Sequence, residues 1–544
     1  MIFTGAKPPA SLLFVHLFFP EVCLEWYCFR NKFTNKTTIT NFEGFPMNLC
    51  IRICTAVLFL LVCVSVFCVF SADASAQGKK AKNVIVFIGD GMGFNSDLAG
   101  TYYRYGEAGK QSYHKFPVHL GCMTFCQAAK GAAIPADVKG YDPAVFWESI
   151  AGGNAKTDFT RTTDSAAAAT TLFSGQKTLS GRIGTLPDDS SVKLISEYAA
   201  ELGKKTGTVT TVQASHATPA GFIAHQKTRG DMDEIFIQMS AKNSILSVVF
   251  GGGNPIFHEG KPFTIKEGEK EDARKKRFMA VGGEKTWSEL ETGKYNGFTV
   301  IQKKEDFAAL AAGKKPLPKK VIGIPYSNES VPPVDGDLKD VPETAEILKT
   351  KYPRVELNQL PTLTEMTLAA LNVITSENDK GFVLMVEGGA IDWENHKQDI
   401  MKSCWEHTGF SKTIDAVLDY LKKNNMMNET LIIVTADHET GQLWGPNSFT
   451  DNNNNGVFDE KEDTFNRLNP IVNKGRGKFP EVQYASKGHS NALVPLWATG
   501  PGSELFLKHI KGNDKKAAEF WKFSGDYVDN TDVFYVIKEA LGMK

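Results

Sequence analysis

Apolar residues along this chain fall into short, nearly unbroken runs. Residues 84–88, 208–212, 247–250, 381–386, 431–435 and 493–498 are rich in β-branched and aromatic side chains. Runs of this length with no polar alternation predict strands buried on both faces, as in a parallel sheet. Between several of them, residues 191–202, 362–374 and 408–421 carry apolar positions at helical spacing. Strands alternating with helices predict an α/β fold, a three-layer α/β/α sandwich around a central, mainly parallel sheet. The stretch 251–361 is richer in Lys, Gly and Pro and less periodic, so it reads as inserted surface elements around the core. The polar, Asn-rich tract 450–464 reads as a loop.

Upstream of residue 77 the pattern changes. Residues 1–46 mix aromatics, Cys and polar residues without a period. Met47 then opens a segment with Arg52, an apolar run over 55–70, and Ala74-Ser75-Ala76, the anatomy of a secretory signal peptide. At about 16 residues the run is shorter than the roughly 20 that a spanning helix needs, which disfavours the alternative of a membrane anchor. The chain therefore divides into an extension foreign to the native protein (1–46), a signal peptide (47–76) and one folded domain (77–544). The expected product is secreted or periplasmic, with no stable membrane anchor after cleavage.

Charge narrows the partners. With 61 Lys and Arg against 62 Asp and Glu, the net charge of −1 makes no electrostatic case for nucleic acid or an anionic membrane. Six of the nine cysteines precede residue 77, leaving Cys122, Cys126 and Cys404. A disulfide framework does not hold this fold, although Cys122 and Cys126 are spaced to pair in an oxidising compartment.

Several strand ends carry acids and histidines. The run from Asn83 ends in Gly89-Asp90-Gly91, which aims Asp90 at the carboxyl edge of the sheet, where α/β proteins build their sites. The run from Leu431 ends in Asp437-His438, an oxygen–nitrogen pair suited to Zn²⁺. A third run ends in Glu387 and is followed by Asp392 and His396, which share a helix face at i, i+4 if the segment is helical. Asp164-Ser165 before an alanine run reads as an N-cap and first turn, where free N–H groups favour a phosphate. Each pattern alone has a bland counterpart: a turn Asp, an incidental His, a surface ion pair, a capping residue with a spectator serine.

Together these four segments resemble the alkaline phosphatase family, in order and at comparable spacing. Ser215-His216-Ala217-Thr218-Pro219 with Arg229 downstream, and Lys487-Gly488-His489-Ser490, extend the resemblance. It runs from about Lys82 to Asp529-Asn530-Thr531-Asp532. The resemblance implies hydrolysis of phosphate monoesters to alcohol and inorganic phosphate through a phosphoserine intermediate on Ser165. It implies that Arg229 grips phosphate with Asp164 orienting it, and that Asp392, His396 and His489 hold one zinc. Asp437, His438 and Asp90 would hold a second zinc. Asp90, Thr218 and Glu387 would hold magnesium. His216 stands near the magnesium position and Trp393 near the phosphate, where the best-known bacterial members carry Asp and Lys. Small phosphomonoesters are the implied substrates, and a homodimer is implied because members are often dimeric. The rivals are a phosphodiesterase or sulfatase of the same superfamily, disfavoured by Arg229 and the intact third-metal set, and a non-catalytic, calcium-dependent phosphate-binding surface protein, disfavoured by Ser165 and the complete ligand set.

One further motif stands apart. Asp451, Asn453, Asn455, Gly456, Asp459 and Glu462 fit positions 1, 3, 5, 6, 9 and 12 of a calcium loop, with the Val457 carbonyl at position 7. The alternative is an Asn-rich solvated surface loop. Residues 444–450 do not read as helix, so a full helix–loop–helix hand is not expected.

Overall fold

A computed structural model of the protein describes residues 80–128, 140–151, 162–263, 268–333, 359–453 and 463–543. The segments 1–46 and 47–76 lie outside the described residues. So do Asn455, Val457, Asp459 and Glu462 of the candidate calcium loop; only its first residues, among them Asp451 and Asn453, are described.

A sheet of 12 strands runs through the described residues. In chain order its strands are β1 (Asn83–Gly89), β2 (Val118–Met123), β3 (Lys205–Gln213), β4 (Leu246–Gly252), β5 (Lys294–Tyr295), β6 (Phe298–Ile301), β7 (Val321–Gly323), β8 (Phe382–Gly388), β9 (Thr430–Thr435), β10 (Val494–Thr499), β11 (Gly512–Asn513) and β12 (Asp526–Asp529). Their spatial order is β11-β12-β2-β10-β9-β1-β8-β3-β4-β7-β6-β5. The block from β9 through β1, β8, β3, β4 and β7 to β6 is parallel throughout. β10 runs antiparallel to both its neighbours, β9 and β2.

The six expected strands all form, each within a residue or a few of its expected bounds. All seven residues of β1 are buried, as a strand between two parallel neighbours requires. Two helix groups cover the sheet. One contains α1 (Phe94–Tyr105), α4 (Leu363–Thr375) and α6 (Ile400–Lys423), with α6 packed on both of the others. The other contains α2 (Ser165–Ser174), α3 (Ala217–Gly221) and α7 (Thr531–Ala540). A further short helix, α5 (Ala390–His396), follows β8 directly. α4 starts at a capping box: Glu365 N–H donates to Thr362 Oγ1 (2.9 Å) and Thr362 N–H donates to the Glu365 carboxylate (2.8 Å).

Some local expectations change. The stretch 251–361 is not only peripheral: β5, β6 and β7 extend the main sheet, and Trp287, Phe298, Phe307 and Ile322 are buried in the main core. Its strands are short and its loops charged, which hid the period. α6 begins at Ile400, earlier than its apolar spacing indicated, because the Asp399 carboxylate caps it by accepting from Lys402 N–H at 3.0 Å. The helix expected over 191–202 covers only Ile195–Glu201. Cys122 and Cys126 form no disulfide. Each is a buried thiol, facing Met123 O at 3.8 Å and Thr162 O at 3.5 Å respectively. Among the described residues, no helix is long and apolar enough to cross a membrane.

Candidate active site

The parallel strands β1, β8 and β9 lie side by side and all end at one edge. Asp90 leaves β1, Glu387 is the penultimate residue of β8, and Asp437-His438 follow β9. The register Ile88↔Glu387 and Ile88↔Thr435 brings these side chains level with one another. Gly91 makes the tight approach possible. Its φ of +68° is left-handed, and a Cβ there would stand 2.8 Å from Asp392 Oδ1.

α5 carries the next pair. Asp392 and His396 do share one face: His396 Nε2 is 3.3 Å from Asp392 Oδ2. His489 enters from a two-residue ribbon in which Glu439–Thr440 pairs with His489–Ser490. Its Nε2 lies 3.5 Å from Asp392 Oδ1 and 3.0 Å from His396 Nε2. The other ring nitrogen of each histidine faces a carbonyl, His489 Nδ1 at Thr163 O (2.8 Å) and His396 Nδ1 at Lys487 O. A carbonyl only accepts, so both Nδ1 atoms carry a proton, and in the neutral form each ring turns an Nε2 lone pair toward the other. Two lone pairs at that distance need a cation between them, a proton or a metal.

His438 stands between two groups. Its Nε2 is 3.2 Å from Asp437 Oδ2 and 3.5 Å from Asp90 Oδ1. Three sets of potential ligating atoms gather within 4.8 Å: Asp392, His438 and His489; Asp90, Asp437 and His438; and Asp90, His216 and Glu387. His216, which the resemblance puts beside the magnesium position, shares the third of these groups with Asp90 and Glu387. Thr218 adds a buried hydroxyl near Glu387.

The electrostatics are those of a site made for cations. Both oxygens of Asp90, Glu387 Oε1, Asp437 Oδ2, His216 Nδ1 and Thr218 Oγ1 are buried without a hydrogen-bond partner. Orphaned buried acceptors in such number are rare in a folded protein. Burial, then the charges of Asp437, Asp392 and Glu387, push the Asp90 carboxyl well above the usual range. Burial likewise raises Glu387 and Asp437. Asp392 moves the other way: burial would raise it, but His396 and His489 outweigh that and hold it well below the usual range. Burial, then the charges of His489 and other cations, holds His438 well below its ordinary value. Burial and the Arg229 charge lower His216 to about 3, so its ring is neutral at neutral pH. Divalent ions would neutralise the crowded carboxylates and use these free lone pairs, so the donor set fits bound metals.

Ser165 opens α2, and Asp164 is its N-cap, with Oδ1 accepting from Ala167 N–H at 3.1 Å and from Gly181 N–H at 2.9 Å. Ser165 is buried, and its Oγ lies 3.2 Å from His438 Nε2. Arg229 donates through Nη1 to Asp164 Oδ2 (3.1 Å), while Nη2 is 3.1 Å from His216 Nε2. Burial would raise the Asp164 carboxyl, but Arg229 and the backbone donors keep it lowered, hence ionised. Trp393 stands edge-on to His216 at 5.7 Å.

A sequence model of the alkaline phosphatase family matches residues 81–543. The chain belongs to the alkaline phosphatase family. Among curated alkaline phosphatases, Alkaline phosphatase 3 of Bacillus subtilis is 30% identical over 384 residues, covering 68% of this chain and 64% of that protein. The alkaline phosphatase of Escherichia coli is 25% identical over 501 residues, covering 86% of this chain and 88% of the relative. In fold, the chain is similar to the crystal structure of Thermus thermophilus alkaline phosphatase: TM-score 0.55 at 19% identity, over 86% of this chain and 92% of that one.

Sequence reasoning did not single out three residues that touch the site. Thr210 Oγ1 donates to Glu387 Oε2 at 2.5 Å. Thr440 Oγ1 donates to Asp392 Oδ1 at 2.5 Å. Glu439 accepts from Ser490 Oγ and from Gln442 N–H (2.8 Å), tying the two strands of the His489 ribbon. Thr440 was within reach, two residues beyond His438; Thr210 is an interior strand residue with no local mark.

Proposed function

We propose that this chain hydrolyses phosphate monoesters to alcohol and inorganic phosphate, with Ser165 as nucleophile. The observation that carries the reading is the meeting of Ser165 Oγ, at a helix N-terminus, with His438 Nε2 and the three cation-seeking groups. Asp392, His396 and His489 would hold one zinc and Asp90, Asp437 and His438 a second. Asp90, Glu387 and Thr218 would hold magnesium, with His216 at the same site. Bound there, the ions supply Lewis-acid stabilisation of the attacking and leaving oxygens and lower the proton affinity of a hydroxyl or water.

The protein groups set the geometry. The first-turn N–H groups of α2 that Asp164 does not cap would turn toward the phosphate oxygens, where the helix terminus favours negative charge. Arg229, held by Asp164, presents a planar pair of donors suited to two phosphate oxygens. Trp393 borders the phosphate and adds no charge. Ser165 gives up its hydroxyl proton to water as Oγ attacks phosphorus, the ester P–O bond breaks, and the departing oxygen takes one proton from water and leaves as alcohol. Water then attacks the phosphoserine; the Oγ–P bond breaks, releasing inorganic phosphate and restoring the hydroxyl. All these contacts address phosphate and none addresses the leaving group, which supports a broad substrate range.

The test is one set of assays with a chromogenic phosphate monoester, the matching diester and the matching sulfate. The monoester should be the preferred substrate, with activity lost on exhaustive chelation and restored by Zn²⁺ and Mg²⁺. Preference for the diester or the sulfate, or full activity after chelation, overturns the reading.

A further inference from the structure

Thr440 touches a ligating residue on each side of the site. Its Oγ1 is 2.5 Å from Asp392 Oδ1 and 3.3 Å from His438 Nδ1. Its backbone N–H donates to Gly91 O at 3.2 Å, beside Asp90. The side chain is fully buried, so no bulk water replaces either contact.

Proton counting assigns the direction of both bonds. An ionised carboxylate only accepts, so the single Thr440 hydroxyl proton is committed to Asp392. The short separation agrees with a charge-assisted O–H···O⁻ bond. Thr440 Oγ1 can then only accept from His438, which places the His438 proton on Nδ1. Nε2 is left with a free lone pair, aimed at Ser165 Oγ, Asp437 Oδ2 and Asp90 Oδ1. His396 and His489 obtain the same tautomer from backbone carbonyls. His438 obtains it from a side chain, which substitution can remove.

We propose that Thr440 is a positioning residue that sets the tautomer and ring orientation of His438 and, with the same hydroxyl, orients Asp392, so that one side chain joins the two proposed zinc groups. The inference rests on the reading of His438 and Asp392 as metal ligands. Outer partners of this kind change metal affinity by roughly ten- to hundredfold.

Zinc binding to the metal-stripped protein, measured by competition with a chromogenic chelator, tests it without activity. Thr440→Val keeps the shape and removes the hydroxyl; Thr440→Ser restores the hydroxyl without the methyl. Thr440→Val should bind zinc at least tenfold more weakly than wild type, and Thr440→Ser should return to within about threefold. The metal-free Thr440→Val protein should still unfold in one cooperative transition, at a melting temperature lowered by the lost buried hydrogen bonds, so the affinities compare folded proteins. Wild-type affinity in Thr440→Val overturns the proposal. So does Thr440→Ser binding as weakly as Thr440→Val, since the methyl packing then matters rather than the hydroxyl. His438→Ala distinguishes the underlying reading: if it holds as much zinc as wild type, His438 is no ligand and both readings fall together. If Thr440→Val does not fold, the Thr440→Ser affinity still decides, since a loss beyond tenfold contradicts the hydroxyl account.

Discussion

Two buried clusters in this molecule use the same residue types and behave in opposite ways. One is the site at the ends of β1, β8 and β9. The other surrounds Asp97 on α1, where His114 Nε2 reaches Oδ2 at 2.8 Å and His407 Nε2 reaches Oδ1 at 3.1 Å. Tyr113 also donates to Asp97 Oδ1, at 2.6 Å. Burial alone would raise the Asp97 carboxyl, but His114 and His407 outweigh it and hold it far below the usual range. A single acid there meets two imidazoles and a phenol, and both its oxygens are satisfied. At the strand ends, Asp90, Glu387 and Asp437 crowd together, their proton affinities rise, and lone pairs remain unused. Burial is common to both clusters; the balance of donors and acceptors separates a structural network from a site suited to cations.

That contrast can be broken from either side. The largest effect is expected at the strand ends: Ser165→Ala should lower kcat roughly a thousandfold or more, while metal content and melting temperature stay near wild type. Substantial residual turnover would remove Ser165 from the role of nucleophile. At the other cluster the outcome should invert. Asp97→Asn removes the charge that the two imidazoles were built around and should cost about 3–5 kcal/mol of stability in a denaturant titration, with kcat near wild type.

The pH dependence sharpens the same point. Because the folded Asp97 carboxyl is depressed, its contribution is fully present above the unfolded value of about 3.9 and is lost as pH falls below it. The stability gap between wild type and Asp97→Asn should therefore narrow in acid. A gap constant from pH 7 to pH 3 would show that packing, not charge, accounts for it. The smallest effect is expected at Gly100, where a Cβ would stand 2.1 Å from His407 Nδ1. Gly100→Ala must shift His407 and should cost about 1–3 kcal/mol, again without touching catalysis. Loss of activity in that variant would mean that the two clusters communicate.

His114 and His407 also show where sequence reading stops. Neither belongs to a motif in the sequence, yet the structure makes them the partners of one buried acid. The two residues lie far apart in the chain, and no local pattern marks a pairing made through α1 and α6. The same holds for β2 and β12, and for the strands within 251–361: each is short or polar enough to lack a clear period, and each is held by pairing with a neighbouring strand.

What this chain determined by itself is whatever a dozen neighbouring residues can encode. Apolar runs made the central strands, Asp164 capped α2, and the spacing of Asp392 and His396 put both on one face of α5. Those signals work because backbone hydrogen bonds and helical periodicity act over a few residues. Only the tertiary structure decided that His438 stands between two ligand groups, that His216 joins Asp90 and Glu387, and that Thr440 reaches both His438 and Asp392. Apart from the local contact of Thr440 with His438, these contacts join separate segments of the chain. Their consequence depends on where a single proton sits, and burial and the neighbouring charges set that after the segments have met.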